Sequence, residues 1–470
     1  MGINAKKLIF NMRSAVFAQA LAFSVSAVMS LLVPKMLGVE EYAYWQLFLL
    51  YGAYVPLFHL GLNDGVYLIN GGKTFTEMNR RSLMGQFFVG LIVEVSIAIL
   101  VFVWTVVNFE GSRLFVFGLI AIYIVLFNIG SYWGAVCQAA NETHYYSKMQ
   151  TIDKACFFVL LLIGITCSIT CCEYYVVAYV ISRFIAGCYI VLKCRYFFGQ
   201  SVKLLKSVFR ESACSIRVGI KLTISYLASI FILGAPRMIA DGAWSIEQFA
   251  QLSFAISLMN FLVVFVNQVG MVLFPALRRV TEVEFGEIYR KLTLGLDLLL
   301  PVVYVLYYPI LIAVQWWLPQ YSEGLQWLSI MLPVCVYNSR MEILSSTALK
   351  VLRKEAVLMK INLIAAGFAA MLAGACGLFE MEHRVLILMI VFVTTGRSIV
   401  SELYVSGTVI QANTASVATT AVFAAQYLLV VMFVSVEVAT VVTTLLWLAL
   451  LVTNKEPIRS IILKSKAFNE

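Results

Sequence analysis

The chain has 470 residues, of which 61% are hydrophobic and only 13% charged, with a mean hydropathy of +0.90. A soluble globular chain carries about 25% charged residues, so this composition excludes a water-soluble protein and requires a surface that faces lipid. The formal net charge is +9, but the basic residues are scattered through short connections beside apolar stretches, the pattern of topology signals and not of a nucleic-acid surface.

Apolar stretches recur at roughly 14–33, 43–61, 87–107, 114–138, 156–170, 174–192, 218–240, 252–277, 293–317, 326–349, 357–378, 385–407, 414–435 and 438–453. Most approach the ~20 residues that a helix needs to cross a ~30 Å hydrocarbon core, so the expectation is an all-α integral membrane bundle of about fourteen transmembrane helices. Connections such as 108–113, 171–173, 318–325 and 379–384 are short and leave no room for an external domain. Lys35, Arg113 and Arg384 fall on one side, and Arg183, Arg237, Arg340 and Arg397 lie inside stretches; the rest of the 34 Lys and Arg fall on the side of the N-terminus. The positive-inside rule then places both termini in the cytoplasm. The first stretch follows Lys6, Lys7 and Arg13 as a secretory signal would, but it is longer than the ~7–15 residues of such a signal's apolar region and reads as an uncleaved first helix. The ten cysteines show no metal-ligand spacing and read as small apolar fillers.

Between the sixth and seventh stretches, residues 193–217 form one of the longest connections. Within Ser201–Arg210, Val202, Leu205 and Phe209 share one helical face and Lys203, Lys206 and Arg210 lie largely on the other, as in a helix at a membrane surface. A weak internal repeat flanks this linker. Pro34-Lys35-Met36-Leu37-Gly38 ends the first stretch and Pro236-Arg237-Met238-Ile239-Ala240 ends the seventh, each followed by an acidic turn with an aromatic residue. The second copy comes six stretches after the first, so the two halves share one orientation, as in transporters built from parallel repeats. The implied organisation is an N-terminal lobe (1–192), an amphipathic linker (193–217), a C-terminal lobe (218–407) and two further spans with a basic tail (408–470).

The string Leu37-Gly38-Val39-Glu40-Glu41-Tyr42-Ala43-Tyr44-Trp45-Gln46-Leu47, with Gly61-Leu62-Asn63-Asp64-Gly65 after it, resembles the N-terminal signature of bacterial polysaccharide-biosynthesis flippases of the O-antigen and capsule type. These belong to the superfamily of multidrug and toxin extruders and peptidoglycan-precursor flippases. The span pattern is similar along the whole chain, while the residue-level match is confined mainly to the first 90 positions. The resemblance implies two pseudo-symmetric six-helix lobes around a central cavity, plus two C-terminal helices. It also implies a bacterial inner-membrane protein that moves undecaprenyl-diphosphate-linked oligosaccharide for lipopolysaccharide or another surface polysaccharide. Membrane lipids, a polysaccharide polymerase and a chain-length regulator would be its partners, and no cofactor is implied. Peptidoglycan-precursor flippases carry several cavity arginines in their first two helices; here only Arg13 and Lys35 flank the first stretch, which departs from that relative.

Ionisable residues inside a bilayer cost about 2.5–3.5 kcal/mol on insertion scales, so they face partners or a cavity. Arg237 and Asp297 lie near stretch ends, where snorkelling to the interface accounts for them. Arg183, Arg340 and Arg397 lie deeper and are candidate ligands for a diphosphate or acidic sugar, because guanidinium stays charged and binds phosphate bidentately. Pairing of Arg340 or Arg397 with Glu94, Glu342 or Glu402 would satisfy burial equally well. Glu94, two turns into the third stretch, is the candidate for proton or sodium coupling. Asn260 and Asn267 are seven apart on one helical face and can meet sugar hydroxyls or tie helices together.

The chain has only three histidines, none beside a nucleophile and a carboxylate, and no phosphate-binding Gly-Lys-Ser/Thr loop. A polysaccharide polymerase is therefore a weaker reading than a transporter. A cation-coupled drug extruder of the same superfamily is the closer rival.

Overall fold

The computed structural model describes residues 21, 23–199, 206–277, 282–410 and 415–453. Among them the chain is helical and forms no strand, as lipid demands of a backbone whose polar groups must be satisfied internally. The helices are α1 (Phe23–Met36), α2 (Val39–Gly52), α3 (Leu62–Asn70), α4 (Arg80–Asn108), α5 (Gly111–Ala139), α6 (Thr143–Thr166), α7 (Cys172–Lys193) and α8 (Lys206–Ala243). They continue with α9 (Ile246–Leu277), α10 (Glu282–Leu299), α11 (Val302–Trp317), α12 (Ser322–Arg340), α13 (Glu355–Leu378), α14 (His383–Tyr404), α15 (Ala415–Phe433) and α16 (Val436–Thr453).

Eleven helical stretches among the described residues are long and apolar enough to cross a membrane, and α2 with α3 forms a twelfth, bent by 54°. Two further expected spans correspond to the shorter apolar α1 and to α12, which continues through a π-helical turn (Met341–Ser346) into Thr347–Val351. The protein is thus a multi-pass membrane bundle. Its outer faces carry apolar side chains in the open: on α4, Leu100 is 68% and Val107 77% exposed. Such faces suit a hydrocarbon solvent and would be intolerable in water.

Three local expectations need correction. The second stretch, expected as one helix over 43–61, is broken. A 3-10 turn at Val55–His59 and left-handed Leu60 (φ 52°) and Gly61 (φ 86°) end it, and α3 restarts at an angle. The connection 139–155 is largely helix, since α6 begins at Thr143. The connection after the sixth stretch is helical from Lys206 onward, in a continuous 38-residue helix; residues 201–205 of the expected surface helix lie outside the described residues.

Two compact units make up the chain, Met1–Ser253 and Phe254–Glu470, with the division inside α9. In the first unit, α8 packs chiefly on α3, α4 on α5, and α7 on both α5 and α6. The α3–α8 contact is backbone on backbone. A Cβ at Gly65 would overlap the Ser215 carbonyl oxygen, and one at Gly219 would overlap that of Gly61. Small residues allow such approach where no hydrophobic force drives helices together in lipid. Phe87, Tyr132, Trp133 and Phe197 form an aromatic core within the unit. In the second unit, α14 packs on α12 and α13, and α16 on α15 and α11.

Candidate functional site

The second unit is organised around Arg340, whose side chain is 1% exposed. It stands at the last residue of α12, where the backbone passes into the π-helical turn. Its Nε donates to Glu402 Oε2 at 2.9 Å and its Nη2 to Glu402 Oε1, a bidentate grip on α14. Nη1 donates to Asp297 Oδ1 on α10, and Nη2 to Ser416 Oγ on α15 at 2.8 Å. Ser416 and Thr420 donate in turn to Asp297 Oδ1 at 2.7 and 3.3 Å. One guanidinium thus ties four helices and faces two carboxylates. Asp297, expected to snorkel, is instead a member of this cluster, and it lines a cavity of about 480 Å³ with Tyr289, Arg290, Thr293, Ser416 and Thr419.

Arg397 precedes Glu402 on α14. Its Nη2 donates to Asn338 Oδ1 on α12 at 3.3 Å, and no carboxylate stands within ion-pair distance of it among the described residues. Glu342, an expected partner, is exposed. Asn260 is exposed on α9, and Asn267 occupies the same helix but its side chain lies outside the described residues.

In the first unit, Arg183 on α7 pairs with Asp153 Oδ2 on α6 at 3.1 Å and lies 4.8 Å from the centre of the Phe127 ring. Ser182 Oγ holds the other carboxylate oxygen at 3.1 Å. Asp153 escaped the sequence reading because it preceded the expected start of the fifth span; the early start of α6 brings it onto the helix. Glu94 is 4% exposed on α4 and has neither a hydrogen-bond nor an ion-pair partner among the described residues. Asn63 of the Gly61–Gly65 string donates weakly to the Asn128 carbonyl at 3.5 Å, while the Asn128 side-chain amide, on a residue 0% exposed, has no partner among the described residues. Arg237 does not snorkel: it is drawn inward onto Gln46 and Ser253.

This architecture is that of a polytopic all-helical membrane bundle. The chain is similar to the solved lipid II flippase MurJ in its inward closed conformation, at 11% identity and a TM-score of 0.67, over 96% of this chain and 100% of that one. It is also similar to a multidrug resistance MATE family transporter of the MOP superfamily in its inward-facing conformation, at 12% identity and a TM-score of 0.55, over 82% of this chain and 93% of that one. A MATE transporter in complex with MaL6 matches at 12% identity and a TM-score of 0.50, over 83% of this chain and 92% of that one. At such identities the likeness establishes the fold. By sequence, no family model and no curated protein matches the chain.

Proposed function

We propose that this protein is a flippase that carries an undecaprenyl-diphosphate-linked oligosaccharide from the cytoplasmic to the outer leaflet of a bacterial inner membrane, for O-antigen or a related surface polysaccharide. The observation that carries this reading is the extent of the likeness to the lipid II flippase, which spans 96% of this chain and all of that one, against 82–83% for the drug transporters. The head group would be taken up by polar groups inside the bundle and exposed alternately on each side, while the lipid tail stays in the bilayer. Both termini would lie in the cytoplasm.

Of the three arginines nominated for the anionic group, Arg397 donates to a neutral amide and has no carboxylate within ion-pair distance among the described residues, whereas Arg183 and Arg340 are engaged by carboxylates. Arg397 is therefore the strongest of the three for substrate charge, with Asn260 and Asn267 as candidates for sugar hydroxyls. Glu94 supports proton or sodium coupling, since an unpaired carboxylate inside a bundle is stable only when protonated or ion-bound. The rival reading, a cation-coupled drug extruder, also draws on Glu94. A polymerase and a chain-length regulator would act on the flipped product.

Deletion of the gene separates these readings. A flippase leaves a complete lipid-linked repeat unit on the cytoplasmic leaflet and abolishes surface glycan. Arg397→Gln, expressed at wild-type level in the deleted strain, restores less than about a tenth of the glycan. Normal glycan with raised drug sensitivity would instead establish the extruder.

A further inference from the structure

Arg237 lies within two turns of the end of α8, in the first unit. A long cation so close to a helix end ordinarily reaches outward to the lipid–water boundary. Here it turns into the protein. Nη2 donates to Gln46 Oε1 at 3.0 Å and to the Gln46 carbonyl at 3.3 Å. Nε and Nη2 both donate to Ser253 Oγ, at 3.3 and 3.2 Å. Gln46 is 3% and Ser253 0% exposed, and Gln46 is itself fixed by donating to the Tyr42 hydroxyl at 2.7 Å. The Phe249 ring stands 5.7 Å from the guanidinium carbon. The seat is rigid and neutral.

Among the described residues no carboxylate pairs with it. Asp241, one turn further along α8, is committed to Arg113 Nη2 at 2.7 Å and to the Tyr51 hydroxyl at 2.8 Å. Among the described residues Arg237 has no ion pair, and its Nη1 donates to nothing. The other two guanidinium nitrogens are spent on neutral oxygens that position the group without neutralising it. A half-buried guanidinium with one nitrogen left for a ligand favours an oxyanion, to which its planar fork is matched.

We propose that Arg237, seated on Gln46 and Ser253, is an oxyanion-binding site whose ligand is a phosphate-bearing amphiphile. Its positive charge repels the cationic solutes of a drug extruder. The phosphate has two sources, a membrane-lipid head group or the diphosphate of a lipid-linked glycan, and the second of these rests on the flippase reading. On that reading Arg237, which its place near a helix end would assign to interface anchoring, is a contact for the anionic group.

The test uses the full chain purified in a phosphate-free maltoside detergent, with farnesyl diphosphate and phosphatidylglycerol as probes and binding measured by calorimetry. Wild type binds a phosphate-bearing probe. Arg237→Gln weakens that binding by about tenfold, and Arg237→Lys, which keeps the charge but not the fork, falls between. Displacement of farnesyl diphosphate by phosphatidylglycerol assigns the site to head groups, and selective retention of the diphosphate assigns it to the lipid-linked glycan; either supports the site. Arg237→Gln that elutes and melts as wild type yet binds with unchanged affinity overturns this proposal and leaves the flippase reading standing. Wild type that binds neither probe likewise overturns the site, while the flippase reading is decided by the deletion strain. Should Arg237→Gln not fold, wild-type affinity in Arg237→Lys is the overturning result.

Discussion

Arg183 and Asp153 show how a charge can be carried inside a bundle without a ligand. Their side chains are 12% and 17% exposed, on adjacent helices α7 and α6. The desolvation of each ion is offset only while the other is present. Asp153→Asn should therefore cost about 3–5 kcal/mol, because it strands a buried guanidinium. Adding Arg183→Leu to Asp153→Asn should recover most of the loss. Thermal unfolding of the purified variants checks this; equal melting of the single and double variants would remove the pairing argument. Arg340 obeys the same logic with more partners. The sequence offered Glu402 as one of three acids for it but gave no reason to choose, because the choice depends on which faces of α12 and α14 meet. Asp297 joined only because α10 presents it to the same point as Ser416 and Thr420. In the loop before α4, the Thr74 backbone N–H donates to Glu77 at 2.8 Å and holds that exposed carboxyl below its usual range, a local turn device.

At the scale of elements, the broken second span shows what periodicity misses. Apolar residues run from 43 to 61 as a helix would have them, yet Leu60 and Gly61 turn left-handed and α3 leaves at 54°. The glycines of the string Gly61-Leu62-Asn63-Asp64-Gly65 have a physical use. Gly61 supplies the positive φ, and Gly65 lets α3 lie against the Ser215 backbone of α8. Asp64 fastens the same pair of helices by accepting from Thr223 Oγ1 at 2.6 Å. Gly65→Ala should destabilise the protein by about 1–3 kcal/mol or more, since the added methyl meets backbone and not a movable side chain. Gly38→Ala, where nothing lies within 4 Å, should melt as wild type. A fluorescence melting assay in detergent distinguishes them, and tolerance of alanine at both positions would show that α3 and α8 separate more readily than their contact suggests.

For the whole molecule, the charge asymmetry predicts orientation. In a cysteine-free background, Thr74→Cys should resist a membrane-impermeant thiol reagent in intact cells, and Ser112→Cys should react; the reverse pattern would invert the assigned topology. The sequence by itself determined that this is an all-helical membrane protein and where most of its spans lie. It could do so because hydrocarbon imposes the same length and polarity on each span whatever its neighbours are. Tertiary structure alone decided how the intramembrane charges are spent. Arg183 and Arg340 are met by acids, Arg397 and Arg237 by neutral groups, and Glu94 by no partner among the described residues. A charge's partners come from helices far away in the chain, so depth within a span reveals that a charge must be compensated but not by what.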